Sequence, residues 1–146
     1  MIHKFSSAAA MQKFAAGLAK KIINRGSENR ARIVGLVGDL GAGKTTFVQG
    51  FARELGIKKH LPSPTFLIMR NYRVKAGDYK MLWHMDAYRL KDANELAVLD
   101  FQDILEDKHN IVIIEWADKI KKILPKDAIW LNFTHGRKEN ERTIAD

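Results

Sequence analysis

The run Gly38-Asp39-Leu40-Gly41-Ala42-Gly43-Lys44-Thr45 constrains the fold more than any other stretch of this chain. It has the G-x-x-x-x-G-K-[ST] spacing of a phosphate-binding P-loop and follows directly on an apolar run, Ile33-Val34-Gly35-Leu36-Val37. Such a loop sits between a buried strand and a helix. The strand delivers the chain, the glycines let backbone N–H groups turn around phosphate oxygens, and the helix beginning near Lys44 aims its positive dipole end at them. Lys44 adds a compact charge for the β- and γ-phosphates, and the Thr45 hydroxyl is placed to ligate Mg²⁺. The bland reading is a Gly-rich turn between strand and helix, and agreement of both flanks with the motif disfavours it.

The rest of the chain builds an α/β fold around that unit. Ser6 or Ser7 can cap a helix to about Ile23, with Met11, Phe14, Ala15, Leu18 and Ile22 at helical spacing and Gly26 ending it. The P-loop helix runs from Lys44 to Leu55, with Gly56 as C-cap. Pro62 and Pro64 forbid a helix next. The apolar stretch from Phe66 to Val74, a turn at Ala76-Gly77-Asp78 and a strand from Tyr79 to Met85 form an antiparallel hairpin, since a parallel pair needs a longer crossover. Asp92 to Leu99 reads as a short helix and Ile111 to Ile114 as a strand buried on both faces. A helical stretch from about Asp118 stops before Pro125, and Ala128 to Phe133 and Arg142 to Ile144 are the last strands. The expected architecture is a P-loop NTPase-like three-layer fold with a mixed central sheet, in one nucleotide-binding domain spanning residues 1–146.

Composition narrows the chemistry. The absence of cysteine excludes disulfides, thiolate metal sites and cysteine nucleophiles, and suits a reducing compartment. The first residues lack the apolar core of a secretory signal and no later stretch approaches a membrane span, so a cytoplasmic location is expected. A net charge of +8 would concentrate a polyanion such as a nucleic acid near the surface. The basic residues are scattered, however, with no aromatic-interleaved stripe, so a solvated lysine-rich surface is the equal alternative.

A P-loop site needs an acidic group at the tip of a neighbouring buried strand. Glu115, directly after Ile111-Val112-Ile113-Ile114, is the best placed, either to bind the metal, to orient the attacking water, or to do both through one water. A carboxylate merely solvated at a sheet edge is the alternative. Asp86, at the end of the hairpin's return strand, is the second candidate, and strand alternation puts His84 on its face. His84 reads most simply as a structural hydrogen-bonding histidine, and Tyr88 as a core residue with its hydroxyl satisfied. Thr65, in Ser63-Pro64-Thr65-Phe66, stands where switch loops occur and could meet Mg²⁺ or the γ-phosphate, although the stretch taken alone reads as a proline-ordered turn.

Taken together, the P-loop continued by Thr46, Ser-Pro-Thr-Phe at 63–66 with Asn71-Tyr72, His-x-Asp-x-Tyr-Arg-Leu at 84–90, Glu95-Leu96 and Glu115-Trp116 resemble the TsaE (YjeE) family. These are bacterial ATPases needed to make threonylcarbamoyladenosine in tRNA, and the motifs run in the family's order over nearly the whole chain. The resemblance implies ATP with Mg²⁺ and a weak ATPase that works in a complex with TsaB and TsaD, where TsaD transfers the carbamoyl group and the ATP cycle resets the complex. It implies phosphate contacts from Gly41, Ala42, Gly43, Lys44, Thr45 and Thr46, metal ligation by Thr45 and Glu115, and support of metal or water by Asp86. It further implies a switch-like loop at Thr65, adenine contacts from Ser7 and Gly136, and Trp116 beside the nucleotide or simply buried.

The rival reading is a small-molecule P-loop kinase. A kinase usually closes a basic lid over the phosphates, and no arginine-rich insertion stands between the core segments, which favours hydrolysis. A purely structural nucleotide would not require the acidic groups at 86 and 115, and no Asn-Lys-x-Asp guanine-reading motif marks a GTPase.

Overall fold

Ile111-Val112-Ile113-Ile114 are all β-branched, which suits a pleated surface, and all four are fully buried, so both faces of their strand are covered. Burial of side chains this size stabilises by about 1.5–3 kcal/mol each. The computed structural model describes residues 1–39, 41–62, 68–92, 94–96 and 100–146. Its elements are β1 (Ile2–Phe5), α1 (Ala8–Arg25), β2 (Arg32–Gly38), α2 (Lys44–Glu54), β3 (Met69–Ala76), β4 (Tyr79–Asp86), α3 (Phe101–Glu106), β5 (Asn110–Glu115), a 3-10 stretch (Ala117–Ile123), β6 (Ile129–His135) and β7 (Arg142–Ala145).

One seven-stranded sheet has the order β1-β7-β6-β2-β5-β4-β3. The neighbours β6, β2, β5 and β4 run parallel, while β3 on β4, β7 on β6 and β1 on β7 are antiparallel. The expected mixed sheet and hairpin are therefore present. One face packs Val34, Leu36, Leu82, Ile113 and Phe133 against Met11 of α1 and Phe47 and Phe51 of α2. The other packs Ile33, Met85, Val112 and Ile114 against Phe101 and Ile104 of α3 and Ile120 of the 3-10 stretch.

α1 starts where the sequence puts it: the Ser7 hydroxyl accepts the Ala10 N–H at 3.1 Å, and Gly26 closes the helix at φ 81°. Its contact with α2 is close enough that a Cβ on Gly50 would lie 2.6 Å from the Cα of Gln12. β1 and α3 have no counterpart in the sequence reading. Residues 94–96 form a single 3-10 turn, with Asp92 Oδ1 accepting the Asn94 N–H at 2.9 Å. The remainder of the expected helix at 93 and 97–99 lies outside the described residues, as does the start of the expected hairpin at 66 and 67.

Candidate active site

Because four neighbouring strands run parallel, the ends of β2, β4, β5 and β6 all arrive at one edge of the sheet, where α/β folds bind ligands. β2 ends at Gly38 and feeds the P-loop; Leu40 lies outside the described residues. Gly43 is the N-cap of α2 at φ 103°, a conformation that side-chain-bearing residues rarely adopt. The Ala42 N–H donates to Asp39 O at 3.2 Å, and the Phe47 N–H donates to Gly43 O at 2.9 Å to begin the helix.

The Lys44 side chain turns back over this loop and is only 5% exposed. Its ammonium donates to the Gly38 carbonyl and, at 3.3 Å, to the Asp39 carbonyl, and stands 3.9 Å from the centre of the Trp116 ring. Burial pushes the Lys44 pKa below its ordinary value, against the opposing pull of Glu115, then Asp86 and Asp39. Trp116 reaches the ammonium because the chain turns sharply after Glu115, with Trp116 itself in the left-handed region at φ 58°, ψ 39°. For so bulky a residue that conformation costs on the order of 1–3 kcal/mol, offset in part by a desolvated cation–π contact of about 2 kcal/mol.

Asp86 and Glu115 are direct partners in the parallel register of β4 and β5, and Leu36 pairs with Glu115 from β2. Side chains in register on adjacent strands share a face, so the two carboxylates stand side by side at the strand tips. Both are buried. Asp86 Oδ1 accepts the Tyr88 N–H at 2.9 Å, and Glu115 Oε2 lies 2.7 Å from Nε2 of His84, two residues before Asp86 on the same strand face. Two buried carboxylates beside one buried ammonium make a cation-attracting corner. Among the described residues no three His, Cys, Asp or Glu side chains gather into a self-sufficient metal cage. That fits a P-loop cation, which takes only one or two protein ligands and completes its shell with phosphate oxygens and water.

Beside the loop opens a cavity of about 390 Å³ lined by Ser7, Met11, Gly41, Gly43, Thr46 and Arg142 among others. Its size lies within the range of small-ligand pockets. Ser7, Gly41, Gly43 and Thr46 thus line one cavity, while Ala42 is buried and Thr45 is exposed on the first turn of α2. Gly136 follows β6 and donates its N–H to Glu141 O at 2.7 Å; it does not line the cavity, whereas Asn140 and Arg142 from the same region do. Thr65 and its loop at 63–67 lie outside the described residues.

Three features escaped the sequence. Arg142 donates from Nε to Gly41 O at 2.9 Å and so straps β7 to the P-loop, but its only sequence signal was membership of a final strand. The His84–Glu115 contact joins residues on different strands and depends on their register. Tyr88 corrects an expectation: it is 43% exposed rather than core, because the chain leaves the sheet at Asp86. Its ring lies 5.0 Å from that of Trp116, and the Lys119 ammonium sits 5.0 Å from it while donating to the Tyr88 carbonyl.

A β-strand, glycine loop and helix at the carboxyl edge of a parallel core, with a lysine and two strand-tip carboxylates converging on it, define a P-loop α/β protein. A sequence model of the family described as "Threonylcarbamoyl adenosine biosynthesis protein TsaE" matches residues 5–144, and the chain belongs to this family. The tRNA threonylcarbamoyladenosine biosynthesis protein TsaE of Haemophilus influenzae is 36% identical over 126 residues, 86% of this chain and 77% of that protein. Its namesake from Bacillus subtilis is 41% identical over 99 residues, 66% of this chain and 58% of that protein, so the match spans less than two thirds of that relative. The crystal structure of Bacillus subtilis YdiB superposes with a TM-score of 0.75 at 27% identity, covering 99% of this chain and 82% of that one. Among the described residues no helix is long and apolar enough to cross a membrane.

Proposed function

We propose that this chain is an ATPase that binds ATP with Mg²⁺ at its P-loop and hydrolyses it slowly, as an accessory subunit of threonylcarbamoyladenosine synthesis on tRNA. Family membership supports the role in that modification. The observation that carries the ATPase reading is the convergence of Lys44, Asp86 and Glu115 at the tips of β2, β4 and β5, next to the 390 Å³ cavity.

In this reading, Lys44 exchanges the Gly38 and Asp39 carbonyls for phosphate oxygens, and the start of α2 presents its N–H groups to the same anion. Thr45 and Glu115 would hold the metal, and Asp86 would support the metal or the attacking water. When bound there, Mg²⁺ would supply charge stabilisation at the transferring phosphoryl group. The cavity beside Ser7 and Arg142 takes the nucleoside end. Action within a complex with TsaB and TsaD, reset between turnovers, and a cytoplasmic setting complete the proposal. tRNA is reached through those partners, with the +8 charge favouring any direct contact.

Calorimetric titration of ATP with Mg²⁺ tests the site. Wild type binds saturably, Lys44→Ala loses binding, and Glu115→Ala keeps much of the affinity while single-turnover hydrolysis stops. Undiminished binding by Lys44→Ala would remove the P-loop from the account, and equal loss of binding in both variants would show that Glu115 is not primarily catalytic.

A further inference from the structure

His84 is 1% exposed and sits on the sheet face that α1 and α2 cover, in register with Arg70 of β3 and Ile113 of β5. From there its Nε2 reaches diagonally across to Glu115 Oε2 at 2.7 Å. A carboxylate oxygen can only accept, so the tautomer that fits carries its hydrogen on Nε2. Nδ1 is buried and, among the described residues, has no hydrogen-bond partner. A histidine with one nitrogen on Glu115 and the other unpartnered among the described residues is poorly explained as general core filling, since an apolar side chain would fill the space without burying an unpaired polar atom.

We propose that His84 is the positioning residue of the site: by donating Nε2–H to Oε2 of Glu115 it fixes the carboxylate plane and leaves a single oxygen, Oε1, for the phosphate side. Among the described residues Oε1 takes no hydrogen bond of its own. Held this way Glu115 does not chelate a cation with both oxygens. It offers one oxygen, to the cation or to a water beside it, in a fixed direction. The neighbouring Asp86 has its Oδ1 tied to the Tyr88 backbone, so its support of metal or water does not depend on His84. The inference deepens the ATPase reading above and rests on it.

Two substitutions separate positioning from packing. His84→Gln places an amide N–H the same number of bonds from the backbone as Nε2, whereas His84→Leu fills the space and donates nothing. Single-turnover hydrolysis should fall about 10- to 100-fold in His84→Leu and be largely kept in His84→Gln, with ATP affinity by titration unchanged in both. A second readout needs no nucleotide. In the free chain, thermal midpoints of His84→Leu, Glu115→Leu and the double variant should be non-additive, the double variant losing less than the sum of the two singles. Wild-type turnover in His84→Leu, equal loss in His84→Gln, or additive midpoints would each overturn the positioning role. Failure of the wild-type chain itself to bind ATP would overturn the nucleotide reading instead.

Discussion

Lys44 is held by two backbone carbonyls, an indole face and the field of two carboxylates, yet burial still lowers its pKa. A lowered folded-state pKa means that the unfolded chain holds the proton more tightly, so stability rises with pH between the lowered value and the ordinary one. A polyphosphate beside the ammonium works in the opposite direction and restores its proton. ATP binding in that alkaline window should therefore take up protons, as titration in buffers of different ionisation enthalpy would measure; proton release, or none, would contradict the placement of phosphate at Lys44. Lys44 and Glu115 were legible in the sequence because the P-loop spacing and the apolar run before Glu115 are local patterns. The strained backbone of Trp116 and the His84–Glu115 contact were not, since neither leaves a periodic or spaced signature.

At the level of elements, the site depends on α1 pressing against α2, for the P-loop is the N-terminal end of α2 and Ser7 and Met11 of the α1 region form the cavity wall. Gly50 permits that approach. Gly50→Ala would put a Cβ 2.6 Å from a backbone carbon of Gln12, and such overpacking costs about 1–3 kcal/mol. Its thermal midpoint should fall by several degrees, at about 2–4 °C per kcal/mol for a chain of this size, and an unchanged midpoint would show that the helices can part without cost. The sequence delineated α1, β2, α2, β4 and β5 because each is long enough to show its period or is marked by caps and prolines. It missed α3, which at six residues spans fewer than two turns, and β1, a four-residue edge strand whose partner β7 lies at the other end of the chain. The stretch after Trp116 was expected to be helical and is 3-10, with Ile120 at a non-helical φ of −123° that breaks it.

For the whole molecule, the parallel core matters because it sends every functional strand end to one edge, leaving the opposite edge to turns. That arrangement follows from the βα connectivity that a P-loop demands, which is why the fold class was readable from a loop and its flanks. The partners of the proposed complex are not written in any local pattern. As proposed, the chain is a slow ATPase completed by other subunits, rather than a kinase or a fast hydrolase. Single-turnover hydrolysis of γ-labelled ATP with Mg²⁺, by the chain alone and with TsaB and TsaD added, measures this directly. The predicted result is release of labelled inorganic phosphate at roughly 10⁻⁴ to 10⁻² per second alone, the range of P-loop sites lacking a completed charge clamp, and faster release with both partners. Fast hydrolysis by the isolated chain, no acceleration by the partners, or label appearing on an added nucleoside would contradict it.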